Sequence, residues 1–269
     1  MNIPRYWAKV QDHLMIDGQR TDHLSTFIGH SDRSEEEALQ RARERVAAVQ
    51  ARIDNHATGH AAEYEVCIRE EIVMELTKDA VITRNRYGAE VLNCARLIMI
   101  DVDKPPYQSL WAQLFKRDRR PAKERTLEHI RKIAGTMDQR TGFRIYETHS
   151  GFRVIITGIQ MAPQERAVAK LFEALNSDPL YAMMCRRQDC YRARLTPKPH
   201  RIQQKPIRLV VPYDEQMRST LGAWVQAYNE RSRGFKVCRM VEVIGRDSVD
   251  DVIAYHDKRT LGDERSPLA

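Results

Sequence analysis

No long hydrophobic run occurs in this sequence: stretches such as Leu97 to Ile100 and Val154 to Ile156 fall far short of the ~20 apolar residues that span a bilayer. A transmembrane helix is thereby excluded. The opening segment, Met1 to Trp7, lacks the apolar core and small-residue cleavage site of a signal peptide, so a cytoplasmic setting is expected. Cysteine is scarce, with five residues at irregular spacing and no C-x-x-C pair, which argues against a disulfide framework and for reduced thiols. There is no Walker loop, no G-x-G-x-x-G and no G-x-S-x-G, so P-loop, Rossmann and nucleophile-elbow chemistries are set aside. No internal repeat is present.

The 269 residues suffice for one large or two small domains, and 42% hydrophobic with 30% charged residues is the composition of a chain with a buried core. Lys and Arg number 44 against 37 acids, a formal charge of +7, which favours a polyanionic partner such as nucleic acid.

The hydrophobic pattern predicts short strands at Tyr6 to Val10 and Ser25 to Ile28. A helix follows, starting at Ser34 and running to about Ile53, with Ala38, Ala42, Val46, Val49 and Ile53 as its apolar stripe. After a polar connection through Gly59, a short helix is expected over Glu70 to Leu76. Strands are expected at Val81 to Thr83 and Leu97 to Val102, the second ended by Lys104-Pro-Pro. Ala122 to Gln139 has helical spacing, Phe143 to Thr148 and Phe152 to Thr157 form a hairpin around Ser150-Gly151, a helix runs from Pro163 to about Leu175, and Cys190 to Leu195 is a strand. Downstream come a strand at Leu209 to Val211, a helix at Asp214 to Arg231, a strand at Lys236 to Ile244 and a helix at Val249 to Arg259. The expected fold is α+β: an N-terminal β-β-α extension (1–79), a βαββαβ unit (80–212) and a C-terminal extension packed on it (213–269).

If that unit forms a split βαβ sheet, the end of its first strand, the hairpin tip and the entrance to its fourth strand share one rim. Asp101, Asp103, His149, Arg153, Asp189, Arg192 and Arg194 then gather there. Two acids at alternate strand positions point to one face and can hold Mg²⁺ or Mn²⁺ with phosphate oxygens, and a third acid completes a two-metal site for in-line phosphoryl transfer.

At these residues the sequence resembles the archaeo-eukaryotic primase-polymerase superfamily, whose catalytic palm is an RRM-like βαββαβ unit. Leu97 to Asp103 matches its strand-borne Asp-x-Asp. Asp189-Cys-Tyr-Arg-Ala-Arg-Leu-Thr-Pro-Lys198 resembles the acid, arginines, proline-containing turn and lysine of its plasmid-type members. In the small-x-His motif Arg153 stands where the family has histidine, with His149 preceding the glycine; arginine can bind phosphate but cannot carry a proton as histidine does. The flanks resemble those of bacterial proteins that open on a similar Pro4-Arg-Tyr-Trp-Ala-Lys9 segment.

The resemblance implies a metal-dependent nucleotidyltransferase acting on nucleic acid and nucleoside triphosphates. Asp101, Asp103 and Asp189 would be the catalytic metal ligands, and His149, Arg153, Arg192, Arg194 and Lys198 the phosphate contacts. Asp214 or Glu215 is an alternative third acid. Two other readings stay open: an RNA- or DNA-binding module without catalysis, and a metal-dependent nuclease. The basic run from Arg186 to Lys205 and the cluster Lys116 to Arg120 suit a nucleic-acid backbone or a solvated loop. Cys185, Cys190 and His200 offer three zinc ligands, but structural zinc needs four, and the plainer reading is buried apolar thiols. His256, Trp7, Trp111 and Trp224 read as packing or surface residues.

Overall fold

The computed structural model describes residues 1–55, 68–103 and 120–269. Lys104-Pro-Pro, Gly59, Trp111 and all of the Lys116 to Arg120 cluster except Arg120 lie outside them. The chain is a mixed α+β protein, and every ladder between its described strands is antiparallel.

The N-terminal strands are longer than predicted. β1 (Tyr6–Ile16) and β2 (Gln19–Ser31) form one hairpin. Asp17 and Gly18 connect them, both at positive φ (50° and 75°), in the Asp-Gly turn that matches the twist of a two-residue hairpin loop. Helix α1 (Glu35–Asp54) begins at Ser34, whose side chain accepts from the Glu37 amide, and three glutamates in its first turn complement the helix dipole. It lays Ala38 and Ala42, both fully buried, against Gly29 of β2. A Cβ at Gly29 would collide with the Ala38 carbonyl and the Ala42 amide, so only glycine permits this approach.

The second sheet contains β3 (Glu71–Thr77), β4 (Ala80–Arg84), β5 (Glu90–Cys94) and β9 (Tyr191–Arg194), in the order β3-β4-β5-β9. The helix expected over Glu70 to Leu76 is therefore a strand. β-branched Ile72 and Val73 lose little in an extended chain, and pairing with β4 decides the conformation. No strand forms at Leu209 to Val211; the Leu209 amide bonds the Arg86 carbonyl at 2.9 Å instead.

The third sheet shares the largest apolar cluster among the described residues with β4, β5 and β9, and runs β10-β7-β8-β6: β6 (Ile98–Val102), β7 (Gly142–Thr148), β8 (Phe152–Thr157) and β10 (Cys238–Ile244). Ile98, Met99, Ile100 and Val102 are all buried, so β6 is covered on both faces and Asp101 alone among its residues reaches solvent. Helices α2 (Ala122–Ala134), α3 (Arg166–Ala174) and α6 (Asp251–Thr260) contribute Ile130, Val168, Leu171, Phe172, Val252 and Ile253 to this cluster. Between the helix expected to end near Leu175 and the strand expected from Cys190, Asp178-Pro179 starts a further helix, α4 (Pro179–Gln188): Asp178 accepts from the Leu180 amide at 2.7 Å and Pro179 occupies the first turn. A further helix, α5 (Glu215–Ser232), is capped by Asp214.

Against the predicted βαββαβ order, two helices, α3 and α4, stand between β8 and β9, and the last strand departs from the split βαβ pairing. β9 has its ladder with β5, and the outer strand beyond β7 is β10. Side chains bridge β6 and β9 instead. The Tyr181 hydroxyl lies 2.7 Å from the Met99 carbonyl and 3.0 Å from the Arg192 carbonyl, and Arg153 of β8 donates to the Arg194 carbonyl at 3.0 Å.

Substitution of Gly29 by alanine forces a methyl group into α1 backbone, and overpacking of this kind costs about 1–3 kcal/mol. A Gly29→Ala chain should unfold at lower urea concentration than wild type with an unchanged slope; an unaltered midpoint would refute the close-packing account.

Candidate functional site: an acid pair facing a cationic crescent

Antiparallel register sets Asp101 of β6 opposite Arg153 of β8. Arg153 Nε donates to Asp101 Oδ1 at 2.9 Å and Nη2 to Oδ2 at 3.4 Å. The guanidinium is 1% exposed, whereas the Asp101 side chain remains 35% exposed, so the pair has one face in the core and one at the rim. Burial opposes the arginine's charge, but Asp101 together with Cys238 and Tyr181 outweighs it and holds the guanidinium protonated.

Behind Arg153 lies His256 of α6, 0% exposed, its Nε2 3.3 Å from Arg153 Nη1. Arginine can only donate, so Nε2 accepts, and the histidine proton sits on Nδ1, 2.9 Å from Asp257 Oδ1. Burial and the Arg153 charge push the His256 pKa down, fixing the neutral ring. Asp257 also accepts from the Tyr146 hydroxyl at 2.7 Å and from Arg144 Nη2 at 2.7 Å; Arg144 in turn grips Asp247. A continuous polar chain therefore runs from the rim through β8 into α6 and β7.

Asp103 follows the end of β6 and meets the β7–β8 hairpin. A Cβ at Gly151 would stand 2.8 Å from Asp103 Cα and 3.1 Å from its Oδ1, so glycine lets the hairpin tip abut this acid. Partial burial and the charge of Asp101 raise the Asp103 pKa; Lys198 and Arg194 act against them, and Asp178 adds to them. The third acid felt by Asp103 is thus Asp178 at the start of α4.

Cations face the acids. The stretch from Leu195 to Lys198 is pinned by the Tyr228 hydroxyl, 2.8 Å from Thr196 Oγ1 and 2.5 Å from the Pro197 carbonyl. The 3₁₀ turn Pro199–Ile202 then carries His200 and Arg201. Arg201 Nη2 donates to Ser150 Oγ at 3.0 Å, tying this turn to the hairpin tip. Burial lowers the pKa values of Arg194, Lys198 and Arg201; Arg153 depresses Arg194 further, and Arg194 with Arg201 does the same to Lys198. His149 is lowered by burial, Arg201, Lys123, Lys198 and His200. Arg194 Nε is buried and has no hydrogen-bond partner among the described residues. These like charges repel one another, and an anion placed among them would relieve each.

Of the residues singled out from sequence, Asp101, Asp103, His149, Arg153, Arg194 and Lys198 come together. Asp189 and Arg192 have other partners. Asp189 occupies the left-handed position after α4, 3.3 Å from the Met1 amino nitrogen and 3.4 Å from Gln164 Nε2. Arg192 bonds Glu70 at 2.6 Å, within a network that includes Thr83 and Asn93. Asp214 accepts from the Met217 amide at 2.8 Å as a helix cap, and Glu215 opens α5. Among the described residues no three Cys, His, Asp or Glu side chains form a ready metal cage, and Cys185 and Cys190 are buried, so nothing there assembles the zinc alternative. His256 and Asp178 were passed over as site residues in the sequence, and Arg201 was read only as part of the basic run from Arg186 to Lys205. His256 had one readable signal: it lies three and four residues beyond Ile253 and Val252, on the buried stripe of α6.

Comparison with protein-family models, curated proteins and solved structures finds no match.

Because His256 stays neutral when buried, the unfolded chain takes up a proton near pH 6.5 that the folded chain refuses, so stability falls as pH drops below that value, by at most ~1.4 kcal/mol per pH unit for one group. His256→Gln, which keeps an acceptor for Arg153, should flatten the decline between pH 7 and 5.5 in urea titrations. An equally steep profile in the variant would show that His256 is not its source.

Proposed function

We propose that this chain is a primase-polymerase-like, metal-dependent nucleotidyltransferase that binds nucleoside triphosphates at the Asp101–Asp103 rim and acts on nucleic acid. One observation carries the reading: Asp103, whose charge is opposed by burial and by neighbouring Asp101, stands against Arg194 and Lys198, whose charges are opposed by burial and by neighbouring cations, and a divalent ion with a polyphosphate relieves both sides at once.

Mg²⁺ or Mn²⁺ is a hard cation that takes carboxylate and phosphate oxygens. Asp103 and the solvent-facing lone pairs of Asp101 would hold it, where it would shield the growing negative charge on a transferring phosphoryl group. Lys198 and Arg201 bind the polyphosphate beyond the metal, and the unpaired Nε–H of Arg194 offers a further donor. His149, exposed at the hairpin tip with its pKa lowered, is neutral at pH 7 and can donate or accept a hydrogen bond without adding charge. The net positive charge of the chain favours capture of a nucleic-acid strand, with affinity falling as salt rises.

Binding without catalysis is the second reading. The partners of Asp189 favour it, because the Met1 amino group and Gln164 stand where a third metal ligand would need a free carboxylate.

The two readings, and nuclease action, separate in one incubation with end-labelled single-stranded template, annealed primer, nucleotides and Mn²⁺. Extension that disappears in EDTA and in Asp103→Asn is expected. Retention of an unchanged strand that ignores EDTA would replace this reading with the binding module, and shortening of the strand would replace it with a nuclease.

A further inference from the structure

We propose that Arg153 takes the place of a second metal ion, so that the site holds one divalent cation per bound nucleotide. The proposal rests on the metal–nucleotide reading above and refines it.

Asp101 would be the shared ligand if two ions were bound, since a bridging carboxylate must offer an oxygen to each. Here both its oxygens already accept from Arg153, at 2.9 and 3.4 Å. A carboxylate keeps further lone-pair directions, enough to join Asp103 on one ion. The inner direction, where a second ion would stand, holds a guanidinium.

That guanidinium cannot leave easily. It is fixed on its far side by the Arg194 carbonyl at 3.0 Å and by His256 Nε2 at 3.3 Å, and the ring of His256 is itself oriented by Asp257. His256 is thus a positioning residue: it acts on the site only through Arg153. The permanent charge of arginine also repels any divalent ion brought close to it.

Of the other acids, Asp189 is committed elsewhere, while Asp178 keeps one oxygen to offer a second ion once the guanidinium is gone. Asp189 contacts Met1 and Gln164, and one oxygen of Asp178 accepts from the Leu180 amide at 2.7 Å. In a transfer reaction the balance of charge is then one divalent ion on the polyphosphate and one guanidinium behind Asp101. Arg153 forms and breaks no bond; its contribution is a fixed positive charge where the second ion's charge would be.

The test counts manganese. The full chain is dialysed to equilibrium against MnCl₂ and a non-hydrolysable imido nucleoside triphosphate, and bound manganese and bound nucleotide are each measured as the excess over the protein-free chamber. One manganese per bound nucleotide is expected. Two would overturn the role given to Arg153 while leaving the metal–nucleotide reading intact; nucleotide bound without manganese, or no nucleotide bound, would overturn both. Arg153→Gln removes the charge, and its ratio should rise towards two, whereas His256→Gln, which keeps an acceptor for the guanidinium, should remain at one. A folded Arg153→Gln chain with a ratio still at one would refute the substitution of arginine for metal. If that variant does not fold, the wild-type and His256→Gln ratios decide, either of them at two refuting the proposal.

Discussion

The ion pair between Asp101 and Arg153 is the constraint around which the rest of this molecule is arranged. A guanidinium at 1% exposure is costly unless its donors are met, and here the acceptors come from four separate elements: Asp101 on β6, the Arg194 carbonyl on β9, and His256 on α6, with Cys238 Sγ of β10 at 3.8 Å. Removing Asp101 leaves the buried guanidinium without its carboxylate, a loss below the about 3–5 kcal/mol of a fully buried pair because solvent reaches and screens Asp101. β6 and β9 have no ladder between them, yet Arg153 and Tyr181 hold their backbones together, and β10 and α6 from the C-terminal part of the chain must dock before the arginine is enclosed.

The enclosed arginine divides the acids by role. Asp101 is half committed to structure, whereas Asp103, one residue past the strand, is held near it by the hairpin at Gly151 and feels its charge. Across from them Arg194, Lys198 and Arg201 are crowded, and among the described residues no carboxylate hydrogen-bonds to any of the three. A surface ion pair would be worth little here, because water screens it. The partly buried cations are screened less, so under the proposed reading a compact, highly charged anion would gain more from them than from exposed charges.

Much of the site was legible from residue patterns. An apolar run ending in Asp-x-Asp marked a strand whose tip is exposed, and alternation on either side of Ser150-Gly151 marked the hairpin that brings Arg153 to it. What was not legible depended on long-range packing. Glu71 to Thr77 has apolar residues at spacings that suit a helix, and only the partner strand β4 makes it extended. β5, whose five residues are all buried, went unread because Asn93 and Glu90 break its apolar run; Asn93 Nδ2 donates to Thr83 and Glu90 accepts from Arg259, groups that sequence does not bring near. Asp189 was chosen as third acid by its place in a motif, but the left-handed turn after α4 sends its carboxylate to Met1 and Gln164. Asp17-Gly18, by contrast, is a local hairpin signal that the residues themselves supply.

The central claim is that Asp101 and Asp103 hold a divalent ion through which a nucleotide's phosphates reach the cationic crescent. Calorimetric titration of the full chain with a nucleoside triphosphate, with Mn²⁺ and then with EDTA, addresses it directly. The account predicts that binding with Mn²⁺ is at least tenfold tighter than in EDTA, and that Asp103→Asn removes the difference while Lys198→Ala weakens binding in both conditions. Equal affinity with and without Mn²⁺ in the wild-type chain would contradict it.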